Sequence, residues 1–315
     1  MQANMKGEKL MDTILMPVKK MLAILFGVFF MLLTVGQNVN TITPLDADNI
    51  KLDLALMSDI HMEGNVPEKF VSISRCFNSL NGGKDCFNGL VITGDNSMCA
   101  QNIENMFFYG ALHNISKIKN VYIASGNHDV GNDDEDFSTF EELRARQLGY
   151  INAFIDKDVD ELYYSRVVNG YHLIFMGPDA AECLYRTLSD KQLDWFEAEL
   201  DKAAASGLPI FVFNHHPYSC ISEGHDRYIS LLNKYDNIFT IVGHTHAYND
   251  YGTVPGVKGT PEITVPSLSE KYTDSDSEKV GFGKVLEVYE DQVVIRAYDY
   301  YQGCFSGEVL TYTIK

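Results

Sequence analysis

Positive charge is scarce in this chain. Lys and Arg together number 25 against 43 Asp and Glu, a formal net charge of −18 over 315 residues. Binding a duplex polyanion needs a basic stripe, so long nucleic acid is excluded as the default partner. There is no CxxC pair, which argues against a zinc ribbon. There is no internal repeat, low-complexity tract or Pro/Gly-rich linker, which excludes a solenoid or a string of tethered modules. The N-terminal apolar run Met21–Gly36 has sixteen residues, short of the roughly twenty that a spanning helix needs.

An apolar fraction of 45% supports one large core, and a single layered α/β domain of roughly 250 residues is common. At the N-terminus, Lys19 and Lys20 precede the run Met21–Gly36, and a polar stretch, QNVNTITP, comes after it. This is the order of a secretory signal, with Thr34 and Gly36 as small residues before a cut, although A-x-A is absent. Residues 1–36 are expected to be a signal peptide or an uncleaved N-terminal membrane anchor. Residues 37–50 are expected to be a polar leader and 51–315 the functional domain. The protein is then exported, either secreted or held at the cell surface, and meets a membrane only through its N-terminal segment. Six cysteines fit that route, and Cys76 and Cys86, which flank a turn signal, are the expected bridge. One sequon begins at Asn114.

From Lys51 the pattern alternates strand, loop and helix. The apolar runs at 52–59, 89–95, 120–129, 208–217 and 237–242 read as buried strands bounded by turn residues. Spaced apolar positions predict helices at 102–119, 136–155 and 189–207, the last with Ser189 as N-cap and Gly207 at its end. Period-two alternation around a YED turn predicts two antiparallel strands near the C-terminus.

The residues just past each strand carry the chemistry. In chain order they are SDIH with Asp59 and His61, GDN with Asp95, GNHD (Gly126–Asp129), NHHP (Asn214–Pro217), and GHTH (Gly243–His246). Six of the nine histidines lie in these short motifs. Strand C-termini in layered α/β folds gather on one side and form the binding crevice. Asp, Asn and His are the oxygen and nitrogen donors that suit Mn, Fe, Zn, Co or Ni. A lone D-x-H or GNHD is weak, since either can be a turn or a packed side chain. Five in this order, each at a strand-to-loop junction, point to one convergent site.

The ordered set D-x-H, GD, GNHD, H-x-P and GHxH resembles the calcineurin-like metallophosphoesterase superfamily over roughly residues 51–300. The resemblance implies an α/β fold, a four-layer αββα sandwich of two mixed β-sheets flanked by helices, with a metal site at the strand C-terminal ends. It implies two divalent transition-metal ions (Mn, Fe, Zn, Co or Ni). One would be held by Asp59, His61, Asp95 and His246, the other by Asp95, Asn127, His215 and His244, with Asp95 bridging. The family pattern makes His215 the ligand of its pair, with His216 behind it or at the rim. His128 and Asp129 are the implied catalytic pair, His128 touching the phosphate and Asp129 orienting His128. His244 and His246, one residue apart, are expected to point the same way from extended backbone, with Gly243 permitting close approach. Three residues after Asp95 stands Met98, where purple acid phosphatases carry a tyrosine, so a purple iron site is disfavoured.

The implied reaction is in-line attack on phosphorus by a hydroxide that bridges the two ions. The substrate is a small phosphate ester, expected to be a phosphodiester, with phosphomonoesterase or nucleotidase activity as the alternative. A catalytically inactive scaffold of the same fold is the distant alternative. His225 and Arg227, in the loop after NHHP, are candidate rim contacts that read more readily as solvated loop residues.

Overall fold

The computed structural model describes residues 16–29, 32, 42–80, 87–113, 120–131, 138–155, 158–181, 184–248, 251–257, 259–269 and 281–315. Cys86, Cys183, the Asn114 sequon and the expected cleavage residues Thr34 and Gly36 lie outside them.

Among the described residues, fourteen strands pair into two six-stranded sheets and one two-stranded ribbon. Sheet one runs β14 (Cys304–Thr313), β13 (Gln292–Asp299), β12 (Phe282–Val288), β1 (Leu52–Met57), β2 (Gly89–Ile92), β3 (Val121–Ile123). Sheet two runs β10 (Tyr251–Thr253), β11 (Pro261–Thr264), β9 (Ile238–Val242), β7 (Ile210–Phe213), β5 (Tyr171–Phe175), β4 (Tyr164–Val168). The ribbon pairs β6 (Arg186–Thr187) with β8 (Ile221–Glu223). β1, β2 and β3 are parallel, as are β5, β7 and β9. The antiparallel tail expected from the sequence is β12–β13, and β14 extends it by one strand that the alternation did not reveal.

Alternation along sheet two shows which face meets which layer. Leu173, Phe175, Phe211, Phe213, Phe239 and Ile241 join the core shared with sheet one. Their neighbours Ile174, Ile210, Val212 and Ile238 point the other way, against α5 (Asp190–Ala204) and α6 (His225–Leu232). Both faces of the sheet are therefore buried, as parallel strands require. Between the sheets Phe175 stacks on Tyr164 and Phe213, ring centroids 4.7 and 5.0 Å apart, and on Tyr122 of sheet one at 5.7 Å. The Tyr164 hydroxyl also crosses the gap, donating to Ile123 O (3.0 Å) and accepting from Ile123 N (2.9 Å).

The outer face of sheet one is covered by α2 (Pro67–Ser79), α3 (Asn102–His113) and α4 (Phe140–Phe154), through Phe70, Phe77, Phe108, Tyr109, Tyr150 and Ile151. Helix, sheet, sheet, helix is the four-layer order expected. Ser189 caps α5 by accepting from Gln192 N, and Thr139 with Glu142 forms a capping box on α4.

An N-terminal helix, α1 (residues 16–29), lies on α3 and α4. Ala23 is fully buried, Phe26 meets Phe107 edge-on at 5.1 Å, and Lys19 Nζ donates to Asn102 Oδ1 at 3.1 Å. Among the described residues no helix is long and apolar enough to cross a membrane. Part of the stretch expected as leader is pinned to the domain. Ile42 enters the core, Arg296 Nη1 donates to Thr43 O (3.0 Å), and Asp46 N donates to the Tyr289 hydroxyl (3.1 Å). Cys76 is a buried free thiol in α2, so it does not form the expected bridge.

Candidate metal centre

The C-terminal ends of β1, β2, β3, β7 and β9 open onto one edge, and each is succeeded at once by its motif. The chain does not continue there as extended backbone. Asp59 (φ 49°), His61 (φ 44°), Asp95 (φ 50°), His244 (φ 69°) and His246 (φ 56°) all occupy the left-handed region. Such conformations cost on the order of 1–3 kcal/mol each and persist where the surroundings over-determine them. The expected extended geometry at GHTH is thereby corrected. β9 ends at Val242, Thr245 N donates to Gly243 O (2.8 Å), and left-handed turns, not strand pleating, aim the two histidines.

All seven side chains expected as ligands come together, in two donor sets. In the first, His246 Nε2 lies 3.2 Å from Asp59 Oδ1 and 3.1 Å from His61 Nε2, and His61 Nε2 lies 3.8 Å from both Asp59 Oδ1 and Asp95 Oδ2. In the second, His215 Nε2 lies 3.1 Å from Asp95 Oδ2 and 3.1 Å from Asn127 Oδ1, which is 3.2 Å from His244 Nδ1. Metal–nitrogen and metal–oxygen bonds of roughly 2.0–2.2 Å put donors at right angles about 3 Å apart. The observed separations have that size. Several lone pairs thus converge in a buried place, with Asp59, His61, Asp95, Asn127 and His215 at most 2% exposed. A cation resolves that arrangement, and the donor set fits a borderline divalent ion.

Electrostatics arise from the same crowding. Burial would raise the Asp95 carboxyl, but the imidazoles of His215, His61 and His128 overturn that and hold it well below the usual range. Asp59 is lowered in the same way, against its burial, chiefly by His246 and His215. Burial would depress His215, yet the Asp95 carboxylate pushes it up to about 9. Burial and the neighbouring His215 bring His244 down to about 4, so its ring is neutral with a lone pair to give. Gly243 is obligatory here, since a Cβ would lie 2.0 Å from Ser58 Oγ and 2.7 Å from Asp59 Oδ2.

The model of the calcineurin-like phosphoesterase family matches residues 52–248, more than half of the chain. The chain belongs to this family. A Rhodococcus erythropolis protein named "Probable cyclic nucleotide phosphodiesterase" is 29% identical over 187 residues, 57% of this chain and 55% of that protein. The chain therefore matches only about half the length of that relative. Solved structures share the fold, two phosphatases among them. A dimetal phosphatase from Danio rerio has a TM-score of 0.59 at 14% identity, covering 85% of this chain and all of that one. A purple acid phosphatase from yellow lupin (Lupinus luteus) seeds has a TM-score of 0.56 at 12% identity, over 83% of this chain and 53% of that one.

In this calcineurin-like phosphoesterase, His128 is half-buried beside the first donor set, its ring 4.7 Å from that of His61 and its backbone N–H donating to Asp95 Oδ1 at 3.0 Å. Its Nδ1 meets Met98 O at 2.6 Å. The orienting role expected of Asp129 is thus taken by a backbone carbonyl. The Asp129 carboxylate instead accepts from Asn96 N and Nδ2, Ser97 N and Oγ, and Gly126 N, at 2.8–3.0 Å. It ties the loops after β2 and β3 together. Burial and the nearby Asp95 raise its pKa, against those backbone donors.

His216 lies tilted against His244, ring centroids 4.2 Å apart, while His215 faces Asp95. Arg227 is bound to Asp190, Asp194 and Glu197 around α5, which gives it a structural partner set and no free fork for a phosphate. His225 opens α6 beside Asp226. Several contributors had no sequence signal. Ser58 Oγ donates to Asp59 Oδ2 at 2.5 Å and so turns Oδ1 toward His246. The Thr93 carbonyl accepts from His215 Nδ1 at 2.9 Å and sets Nε2 as the inward atom. Ser267 Oγ holds the Asp59 carbonyl at 2.9 Å. Carbonyls are present at every position, so only the folded path reveals them.

Proposed function

We propose that the protein hydrolyses a small phosphate ester, a phosphodiester in preference to a monoester, with two divalent ions held by the two donor sets. The observation that carries this is the placement of Asp95. Its Oδ2 lies 3.8 Å from His61 Nε2 and 3.1 Å from His215 Nε2, so one carboxylate oxygen faces both sets. Asp59, His61 and His246 would complete one position, and Asn127, His215 and His244 the other. Such ions supply Lewis-acid charge on phosphate oxygens and a water acidic enough to act as nucleophile near neutral pH. They also meet the substrate's negative charge locally in a protein of net charge −18.

The chain's own groups account for the rest. Met98 O fixes the proton of His128 on Nδ1, which leaves Nε2 to contact the phosphate and, when protonated, to hand a proton to the leaving oxygen. The buried carboxylates keep the site anionic enough to hold metal, and Asp129 holds the His128 loop in place. The preference for a diester draws on the name of the R. erythropolis relative. Lys19 and Lys20 before the uncharged run 21–36 support an exported protein. The test is turnover of bis(p-nitrophenyl) phosphate against p-nitrophenyl phosphate by the Mn²⁺-loaded protein. Preference for the first supports the diesterase. Cleavage of the monoester alone would overturn it in favour of a phosphatase.

A further inference from the structure

Arg186 is the largest fully buried side chain among the described residues, 0% exposed, and it stands on the short strand β6. Burying a guanidinium is costly unless its donors are well placed. Here they reach across the molecule. Nη2 donates to Ser125 O at 3.2 Å, at the end of β3 in sheet one and two residues before Asn127. Nη1 donates to Asn214 Oδ1, at the end of β7 in sheet two and directly before His215. The Asn214 amide continues the chain of contacts, its Nδ2 donating to His216 O at 2.8 Å and so spanning His215. Arg186 is itself anchored, its carbonyl accepting from Ser222 Oγ at 3.1 Å and its strand registered on Ile221 of β8.

We propose that Arg186 is the positioning residue of the second metal position: it clamps the loop bearing Asn127 to the loop bearing His215 and so sets the spacing of those two donors. This rests on the two-ion reading above. Ser125 O and Asn214 Oδ1 each adjoin the second donor set, whereas Asp59, His61 and His246 of the first stand on the loops after β1 and β9, so loss of these two contacts bears on the second set. A planar fork with fixed donor directions suits two acceptors on different sheets, whereas an ammonium is a single point charge.

The experiment is calorimetric titration of the metal-free full chain with Mn²⁺, with metal per chain counted by elemental analysis and folding monitored by circular dichroism. Wild type should take two equivalents. Arg186→Met should keep one at near wild-type affinity and weaken the other about 10- to 100-fold, the usual loss when a ligand's support is removed. Arg186→Lys should weaken the same equivalent, because charge without the fork does not restore the clamp. Asn214→Ala removes the same link from the other side and should reproduce the effect. It carries the test if Arg186→Met fails to fold. Diesterase turnover of the variants should recover as Mn²⁺ is raised. A folded variant that binds both equivalents unchanged, or loses both alike, overturns the positioning role. A wild type that holds no metal overturns the two-ion reading itself.

Discussion

In the metal-free protein both ring nitrogens of His215 have acceptors: Nδ1 faces Thr93 O at 2.9 Å and Nε2 faces Asp95 Oδ2 at 3.1 Å. That arrangement suits an imidazolium, and Asp95 pushes its pKa up to about 9 against the burial. A metal needs Nε2 bare, so loading must expel that proton. At pH 8 an ordinary histidine is only about 3% charged, but a group with pKa near 9 is about 90% charged. Filling the second position should therefore release about 0.9 proton from His215 at pH 8 and about 0.2 at pH 9.5. His244, brought down to about 4 by burial and His215, is already neutral and releases none. Asp59 and Asp95, both held below their usual range, are already ionised. A proton lost from bound water is common to both pH values and cancels in the difference. The assay is Mn²⁺ titration calorimetry in buffers of different ionisation enthalpy, repeated at both pH values. The His215 proton alone should contribute about a factor of ten in affinity per pH unit below pH 9, which is about 1.4 kcal/mol. The same raised pKa makes the ion pair stabilise the metal-free fold fully below the unfolded value of 6.5, and that contribution is lost as pH rises through about 9. A release that does not change between pH 8 and 9.5 would refute the charged His215.

Gly243→Ala places a methyl 2.0 Å from Ser58 Oγ and 2.7 Å from Asp59 Oδ2. It should cost about 1–3 kcal/mol by overpacking and weaken the ion beside Asp59, as read by thermal melting and metal counting. Asp129→Ala strands five donors and should lower stability by about 3–5 kcal/mol, seen in urea unfolding. His128→Ala should keep both metals and stability yet slow turnover by about 10²–10⁴. Wild-type turnover in the metal-loaded His128→Ala would remove its part in proton transfer.

The five strand-end motifs were legible because a buried strand and a polar donor set are both written in residue type. Ser189 as the cap of α5 was legible for the same reason. The aim of the ligands was not. Nothing in the letters GHTH states that His244 and His246 adopt positive φ, or that Gly243 lies against Ser58 and Asp59. The role of Asp129 beside His128 comes from the resemblance, and the letters GNHD do not say where its carboxylate points. In a turn the two side chains diverge, and the carboxylate goes to the loop after β2. Arg186 sits in a stretch, LYRTL, without periodicity or motif, and its importance lies wholly in long-range contacts at sequence separations of 28 and 61. The exposed apolar residues of α1, among them Leu25 and Phe29, fit the apolar run read from the sequence, but the packing of Ala23 on α3 depends on Gly110 and carries no local signature.

That two ions bridged by Asp95 perform ester hydrolysis is tested most directly by metal content and diesterase activity on the same purified protein, before and after chelation and again after Mn²⁺ is restored. Close to two metals per chain, with activity that disappears and returns with them, is the predicted result. A well-folded protein that holds no metal and cleaves neither p-nitrophenyl ester would contradict it.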